Sequence, residues 1–191
     1  MQRNIILGIT GASGSIYGYK ILEEISKKED VSSHLIISSA AQITIKQELN
    51  IGVNNLKELS DFTHSNSNIG ASVASGSFKT IGMIIAPCSI NTMSKIATGN
   101  TDNLLTRAAD VVLKEKRKLL ICLRETPLHS LHLENMKRLS DAGAIIFPPV
   151  PAFYLKPKTI DDIISDTTGR ILDIFDINSS YTKSWKGLGD S

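Results

Sequence analysis

Five short apolar runs alternate with helix-type patterns along the chain, and this alternation limits the fold more than any other feature. The runs are NIILGIT (Asn4 to Thr10), SHLIIS (Ser33 to Ser38), IGMIIAP (Ile81 to Pro87), KLLICL (Lys118 to Leu123) and AIIFP (Ala144 to Pro148). Each is a short, continuous apolar run, the pattern of a strand covered on both faces of a parallel sheet. Between them, Ile21, Leu22 and Ile25 share one helix face. From Asp102 to Lys116 the residues Leu105, Ala108, Ala109, Val112 and Leu113 recur at helical spacing, with Asp102 in position to cap. TIDDIISDTTGRILDIF offers Thr159 as an N-cap and Asp162, three residues later, as its capping-box partner. The polar stretch from Asn50 to Ser77 reads as an irregular loop, and the prolines of PPVPAFYLKP exclude a helix. The expectation is a doubly wound, Rossmann/flavodoxin-like α/β sheet. It forms a single domain over residues 1–191, with a C-terminal tail from about residue 178.

Composition removes several function classes. A formal net charge of +2 gives no nucleic-acid footprint, and the KEKRK cluster at Lys114 to Lys118 reads as a solvated helix end. The two cysteines, Cys88 and Cys122, have neither disulfide-framework nor zinc-site spacing. No apolar run is long enough to cross a membrane, and the first one ends in a glycine-rich turn instead of a cleavage region. A soluble, cytoplasmic protein is expected.

In open parallel sheets ligands bind beyond the carboxyl ends of the strands. Those ends carry Gly11-Ala12-Ser13-Gly14, then Ser38 and Ser39, then Pro87-Cys88-Ser89-Ile90-Asn91-Thr92, then Arg124-Glu125-Thr126-Pro127, then a proline loop with Tyr154. The glycine loop suits a phosphate at a helix N-terminus, and suits close strand-to-helix packing equally well. It lacks the GxGxxG order, and Ser38 stands where a dinucleotide fold needs an acid for the ribose. NAD is disfavoured, and a mononucleotide such as FMN fits better. Ser89, Asn91 and Thr92 exceed what one helix cap needs. Arg124 suits a phosphate and Glu125 suits proton transfer. Arg107 and Lys114 lie seven apart on one helix face. Solvated or capping roles are expected for His34, His64, His129 and His132.

Four separated blocks, GITGASGSIYG, SGSFKTIGMIIAPCS, TDNLLTRAADVVLKEKRKLLICLRETPLH and DAGAIIFPPVPAFYLKPKTIDDI, together resemble the flavin prenyltransferase (UbiX-like) family. The resemblance implies transfer of a dimethylallyl group from dimethylallyl monophosphate to N5 and C6 of reduced FMN, without a metal. It also implies a homododecamer with the active site between subunits, and a UbiD-type decarboxylase as recipient of the prenylated FMN.

Carried over by the same resemblance, Gly11, Ala12, Ser13 and Gly14 form the FMN loop, with Ser13 near N5. Ser38, Ser89, Ile90, Asn91, Thr92 and Arg107 contact the flavin nucleotide. Lys114, Arg124, Tyr154 and Arg170 hold the prenyl phosphate. Glu125 moves protons, Glu48 is a second carboxylate near the flavin, and Trp185 faces the allylic cation. Asn91 departs from the lysine common in the family, bringing PCSINT closer to the PASANT motif of FMN-dependent cysteine decarboxylases. Those are the first alternative, although Glu48 occupies the helix region where their histidine is expected. A non-catalytic FMN carrier subunit is the second.

Overall fold

The computed structural model describes residues 2–181. Six strands form one sheet: β1 Arg3–Ile9, β2 Val31–Ile37, β3 Phe62–Ser65, β4 Gly82–Cys88, β5 Lys118–Leu123 and β6 Ile145–Ile146. Their order is β3-β2-β1-β4-β5-β6 and every pairing is parallel. The chain winds outward from β1 in one direction, then returns and winds outward from β4 in the other. The reversal between β1 and β4 is the switch point that opens a crevice at the carboxyl edge.

Strand parity divides the core. Ile5, Leu7 and Ile9 enter one layer with Ile21 and Leu22 of α1 (Ser15–Ile25), Ile45 of α2 (Ser39–Leu49), Leu56 of α3 (Val53–Leu59) and Ile171 of α7 (Ile160–Ile174). Ile6 turns to the other layer, with Met93 of α4 (Ile90–Ala97), Leu105 and Ala108 of α5 (Leu104–Lys114) and Leu139 of α6 (Ser130–Asp141). Each buried Ile or Leu contributes about 2 kcal/mol, so both layers hold the sheet against its helices.

Several expectations change. The stretch from Asn50 to Ser77 is not an irregular loop: it contains α3, edge strand β3 and a 3₁₀ turn at Ser72–Ala74. Asp102 does not cap α5. Asn103 does, its side chain accepting the Thr106 N–H at 3.1 Å, while Asp102 takes Lys95 Nζ at 2.7 Å. The proline segment holds a 3₁₀ turn at Phe153–Leu155, in the proline-free stretch between Pro151 and Pro157. Thr159 and Asp162 form the anticipated capping box on α7. His34 is neither solvated nor capping. It lies inside β2, buried, stacked on Phe62, edge-on to Phe78, with Nδ1 3.0 Å from His64 Nε2. Arg117, in the basic cluster, is tied to the carbonyls of Phe78 and Gly76 at 2.7 and 2.8 Å.

Candidate active site

Four helix N-termini gather at the carboxyl edge, and the sequence seals two of them with other residues. At α1, Glu48 Oε2 accepts the N–H groups of Gly14 and Ser15, each at 2.9 Å. At α5, the Asn66 carbonyl accepts the Leu104 N–H at 2.8 Å and Asn66 Oδ1 accepts the Leu105 N–H at 3.0 Å. The other two carry only their own caps. Ser38 Oγ accepts the Ala41 N–H of α2 at 3.2 Å, and Ser89 Oγ accepts the Thr92 N–H of α4 at 3.3 Å. Helix geometry leaves the N–H groups of Ser39 and Ala40, and of Ile90 and Asn91, without intrahelical acceptors.

Those two open N-termini line the same cavity. Its volume is 350 Å³, and Gly11, Ser38, Ser89, Asn91 and Thr92 stand in its wall as the sequence suggested. Ser39, at the same strand end as Ser38 in the sequence, lines it too, as do Ala40, Asn66, Lys95, Asn103 and Leu105, which were not singled out as ligand residues. Helix caps announce Ser38, Ser89 and Asn103; Asn66 and Lys95 reach the cavity only through the fold. A second hollow of 550 Å³, at the ends of β2 and β3, shares Ser39, Asn66 and Asn103 with it. The residues fit a phosphate monoester: two helix N-termini with positive partial charge, neighbouring hydroxyls and one ammonium.

The glycine loop serves close strand-to-helix packing, one of the two roles its sequence allowed, and its N–H groups at Gly14 and Ser15 are taken by Glu48. Gly14 has φ of 103°, a left-handed conformation that glycine supplies at little cost. Gly18 is needed for space: a Cβ there would lie 2.5 Å from the Ala86 carbonyl oxygen, so α1 could not lie against β4. Burial pushes the Glu48 carboxyl up, but hydrogen bonds from the Ser15 N–H, the Ser13 side chain, the Gly14 N–H and the Ser15 side chain together hold it below its ordinary value. Glu48 is an anion bound to the loop.

Beside the loop, Arg124 and Glu125 follow β5 and are exposed. Arg124 Nε donates to the Ser13 carbonyl at 3.3 Å, which leaves the terminal N–H groups of its fork for an anion. Glu125 Oε1 accepts the Thr126 N–H at 3.1 Å. Tyr17, in the first turn of α1, hydrogen-bonds Thr167 of α7. Burial first, then the nearby Cys122, push its phenol up, against the lowering effect of a hydrogen bond with Thr167 and of Arg124. Both cysteines are buried, and burial pushes their thiols up, Cys122 to about 12, away from the reactive thiolate form.

The proposed prenyl-phosphate set is not gathered within one chain. Lys114 ends α5 before β5 begins, with Nζ 2.6 Å from Glu115 Oε1, whereas Arg124 follows the other end of β5. Six residues of strand separate those edges by roughly 20 Å. Arg107 shares the exposed face of α5 with Lys114 and pairs with Asp110 at 2.9 Å. Arg170 pairs with Asp173 on exposed α7, and Tyr154 is 62% exposed in the 3₁₀ turn. Ala12 and Ile90 are half-buried, in the glycine loop and at the first position of α4. Trp185 lies outside the described residues. Among the described residues, no cluster of three or more His, Cys, Asp or Glu could hold a metal ion.

A doubly wound sheet with a phosphate-type cavity at its switch point defines the class: a nucleotide-binding α/β protein of flavodoxin type. The Flavoprotein family model matches residues 1–183. A flavin prenyltransferase UbiX of Neisseria meningitidis is 48% identical over 190 residues, covering 100% of each chain. Among solved structures, AnUbiX (PadA1) in complex with FMN and dimethylallyl pyrophosphate has a TM-score of 0.95 at 43% identity, covering 99% of this chain and 100% of that one. A dodecameric FMN-dependent UbiX-like decarboxylase from Escherichia coli O157:H7 gives 0.94 at 43% identity, covering 96% and 100%. The chain belongs to the flavoprotein family, and within it to the flavin prenyltransferases.

Proposed function

We propose that this protein is a flavin prenyltransferase that moves a dimethylallyl group from dimethylallyl monophosphate onto N5 and C6 of reduced FMN. The prenylated FMN is released to a UbiD-type decarboxylase. One observation carries the reading beyond family membership: the cavity at the N-termini of α2 and α4 adjoins a loop against which Arg124 is braced, with Glu125 exposed next to it. A nucleotide phosphate and a second phosphate ester thereby each have a binding partner.

FMN is a substrate here, supplying the nucleophilic N5 and C6. Its phosphate lies between α2 and α4, held by Ser38, Ser89, Asn91 and Thr92 with the backbone of Ile90. Gly11, Ala12 and Ser13 would line the flavin ring beside Arg124, which is hydrogen-bonded to the Ser13 carbonyl. When the allylic C–O bond breaks, its electron pair leaves with the phosphate, and fixed cations stabilise the charge that grows there. Arg124, with Tyr154, fills that role from one subunit. Arg107 and Lys114, at a distance from Arg124 within one chain, serve a neighbouring subunit's site in a homododecamer. Arg170 completes the phosphate set, and Trp185 stabilises the allylic cation through its ring face. Glu125 takes the proton that N5 releases on forming its new bond and passes it to the departing phosphate. Glu48 keeps the loop shaped from below. The reading describes one flavin-binding domain acting in the cytoplasm; no helix among the described residues is long and apolar enough to cross a membrane.

The test is anaerobic incubation of the purified protein with reduced FMN and dimethylallyl monophosphate, without added metal, then mass spectrometry of the extracted flavin. A gain of one prenyl unit is expected. Unmodified flavin on a protein that holds FMN would overturn the reading.

A further inference from the structure

Lys95 is the single charged side chain in the wall of the 350 Å³ cavity. It lies on α4 three residues after Thr92 and four after Asn91, so all three share the helix face that meets the cavity. Its ammonium is 2.7 Å from Asp102 Oδ2, and Asp102 is held in turn by the Asn103 side-chain amide at 2.7 Å and by its own N–H on Asn100 Oδ1 at 3.1 Å. The anchored carboxylate fixes the long lysine side chain beside the start of α5 at the cavity edge. One of three ammonium donors is used, and two remain.

We propose that Lys95 is the residue that makes this cavity select a phosphorylated flavin over an unphosphorylated one, with Asp102 as the counter-ion that holds it in position. This rests on the reading above that FMN occupies the cavity. The remaining side chains of the wall are neutral, so they donate to a phosphate without offsetting its negative charge. The helix N-termini add partial charges only. A full positive charge forming charge-assisted hydrogen bonds distinguishes a dianion from an alcohol. Asp102 acts in the opposite sense on a phosphate, and pairing with Lys95 cancels most of its repulsion. The pair is therefore a positioning device whose cost to phosphate affinity is small while Lys95 is present.

The experiment titrates the full-length protein with FMN and with riboflavin, following flavin fluorescence, at low and high salt. Wild type is expected to prefer FMN. Lys95→Met is expected to weaken FMN about 10- to 100-fold, leave riboflavin within about two-fold, and flatten the salt dependence of FMN binding. Lys95→Arg is expected to keep most of the preference, and Asp102→Asn, which frees the lysine, to weaken FMN binding by less than Lys95→Met does. Lys95→Met that binds FMN like wild type, or that loses both flavins equally, overturns the assignment. Wild type that binds no FMN would overturn the flavin reading itself, and this assignment with it.

Discussion

Glu48, the penultimate residue of α2, places its carboxylate oxygen 2.9 Å from the Ser15 N–H at the start of α1. Gly14, the N-cap of α1, has no side chain and makes no cap of its own, so a neighbouring helix supplies it. Two orphan donors are satisfied by one anion at the positive end of the helix. Glu48→Ala is expected to cost about 1–2 kcal/mol, and Glu48→Gln less, because its amide oxygen still accepts. Urea denaturation of the three proteins checks this. Since Glu48 is held below its ordinary value of 4.5, its contribution is full above that pH and is lost as pH falls through the lowered value. The gap between wild type and Glu48→Ala should therefore close in acid.

A second pH effect arises within the sheet, where β2 meets β3. Burial, then the facing His64, push the His34 imidazole down to about 4, against an opposing pull from Asp61. With Nδ1 3.0 Å from His64 Nε2, one ring must donate and the other accept, and protonating both would set two N–H groups against each other. Unfolded, His34 binds a proton below its ordinary 6.5; folded, it does not until about 4. Stability should thus be full above pH 6.5 and fall as pH drops toward 4, by about 3 kcal/mol if His34 alone is counted. Denaturation midpoints measured from pH 7 to 4.5 would show a slope that His34→Gln reduces. An unchanged slope in that variant would assign the acid sensitivity elsewhere.

Glu125→Gln separates proton transfer from binding. The amide keeps the shape and an acceptor for the Thr126 N–H, but it cannot take a proton from N5. Prenyl transfer is expected to fall about 100-fold or more, with FMN affinity within about two-fold of wild type. Flavin titration beside single-turnover mass spectrometry reads both. A non-catalytic carrier would show no difference in either.

The parts of this fold legible in the sequence are those whose signal is local. KLLICL is β5 residue for residue, because five of its six positions are buried and nothing but a strand satisfies them. Thr159 and Asp162 announce α7 through a cap that involves only neighbours. β3 escaped because FTHS is polar, four residues long, and paired on one edge only. The residue pattern did not draw α2, because only Ala41 and Ile45 are buried, too few for a stripe; only the family resemblance placed Glu48 on a helix. At the site, Ser38 and Ser89 were readable as residues that end strands and start helices. Asn66 was not: nothing near it in sequence indicates that it will cap α5, 39 residues away. The capture of the α1 N-terminus by Glu48 was hidden for the same reason.

Lys114 and Arg124 test the assembly directly. One precedes β5 and the other follows it, so a protomer holds them at opposite edges of its sheet. If one prenyl phosphate meets both, the two come from different subunits. Lys114→Ala and Arg124→Ala, each pure, are then expected to be nearly inactive. Mixed during refolding or co-expressed, they should form sites in which the lysine of one variant meets the arginine of the other. Random mixing in a symmetric oligomer leaves both residues intact in about a quarter of the sites. Recovery of activity to about that fraction of wild type, read as prenylated flavin per subunit, would place the site across the interface. Mixed oligomers with no recovery would mean that each subunit builds its site alone, and that Lys114 acts elsewhere.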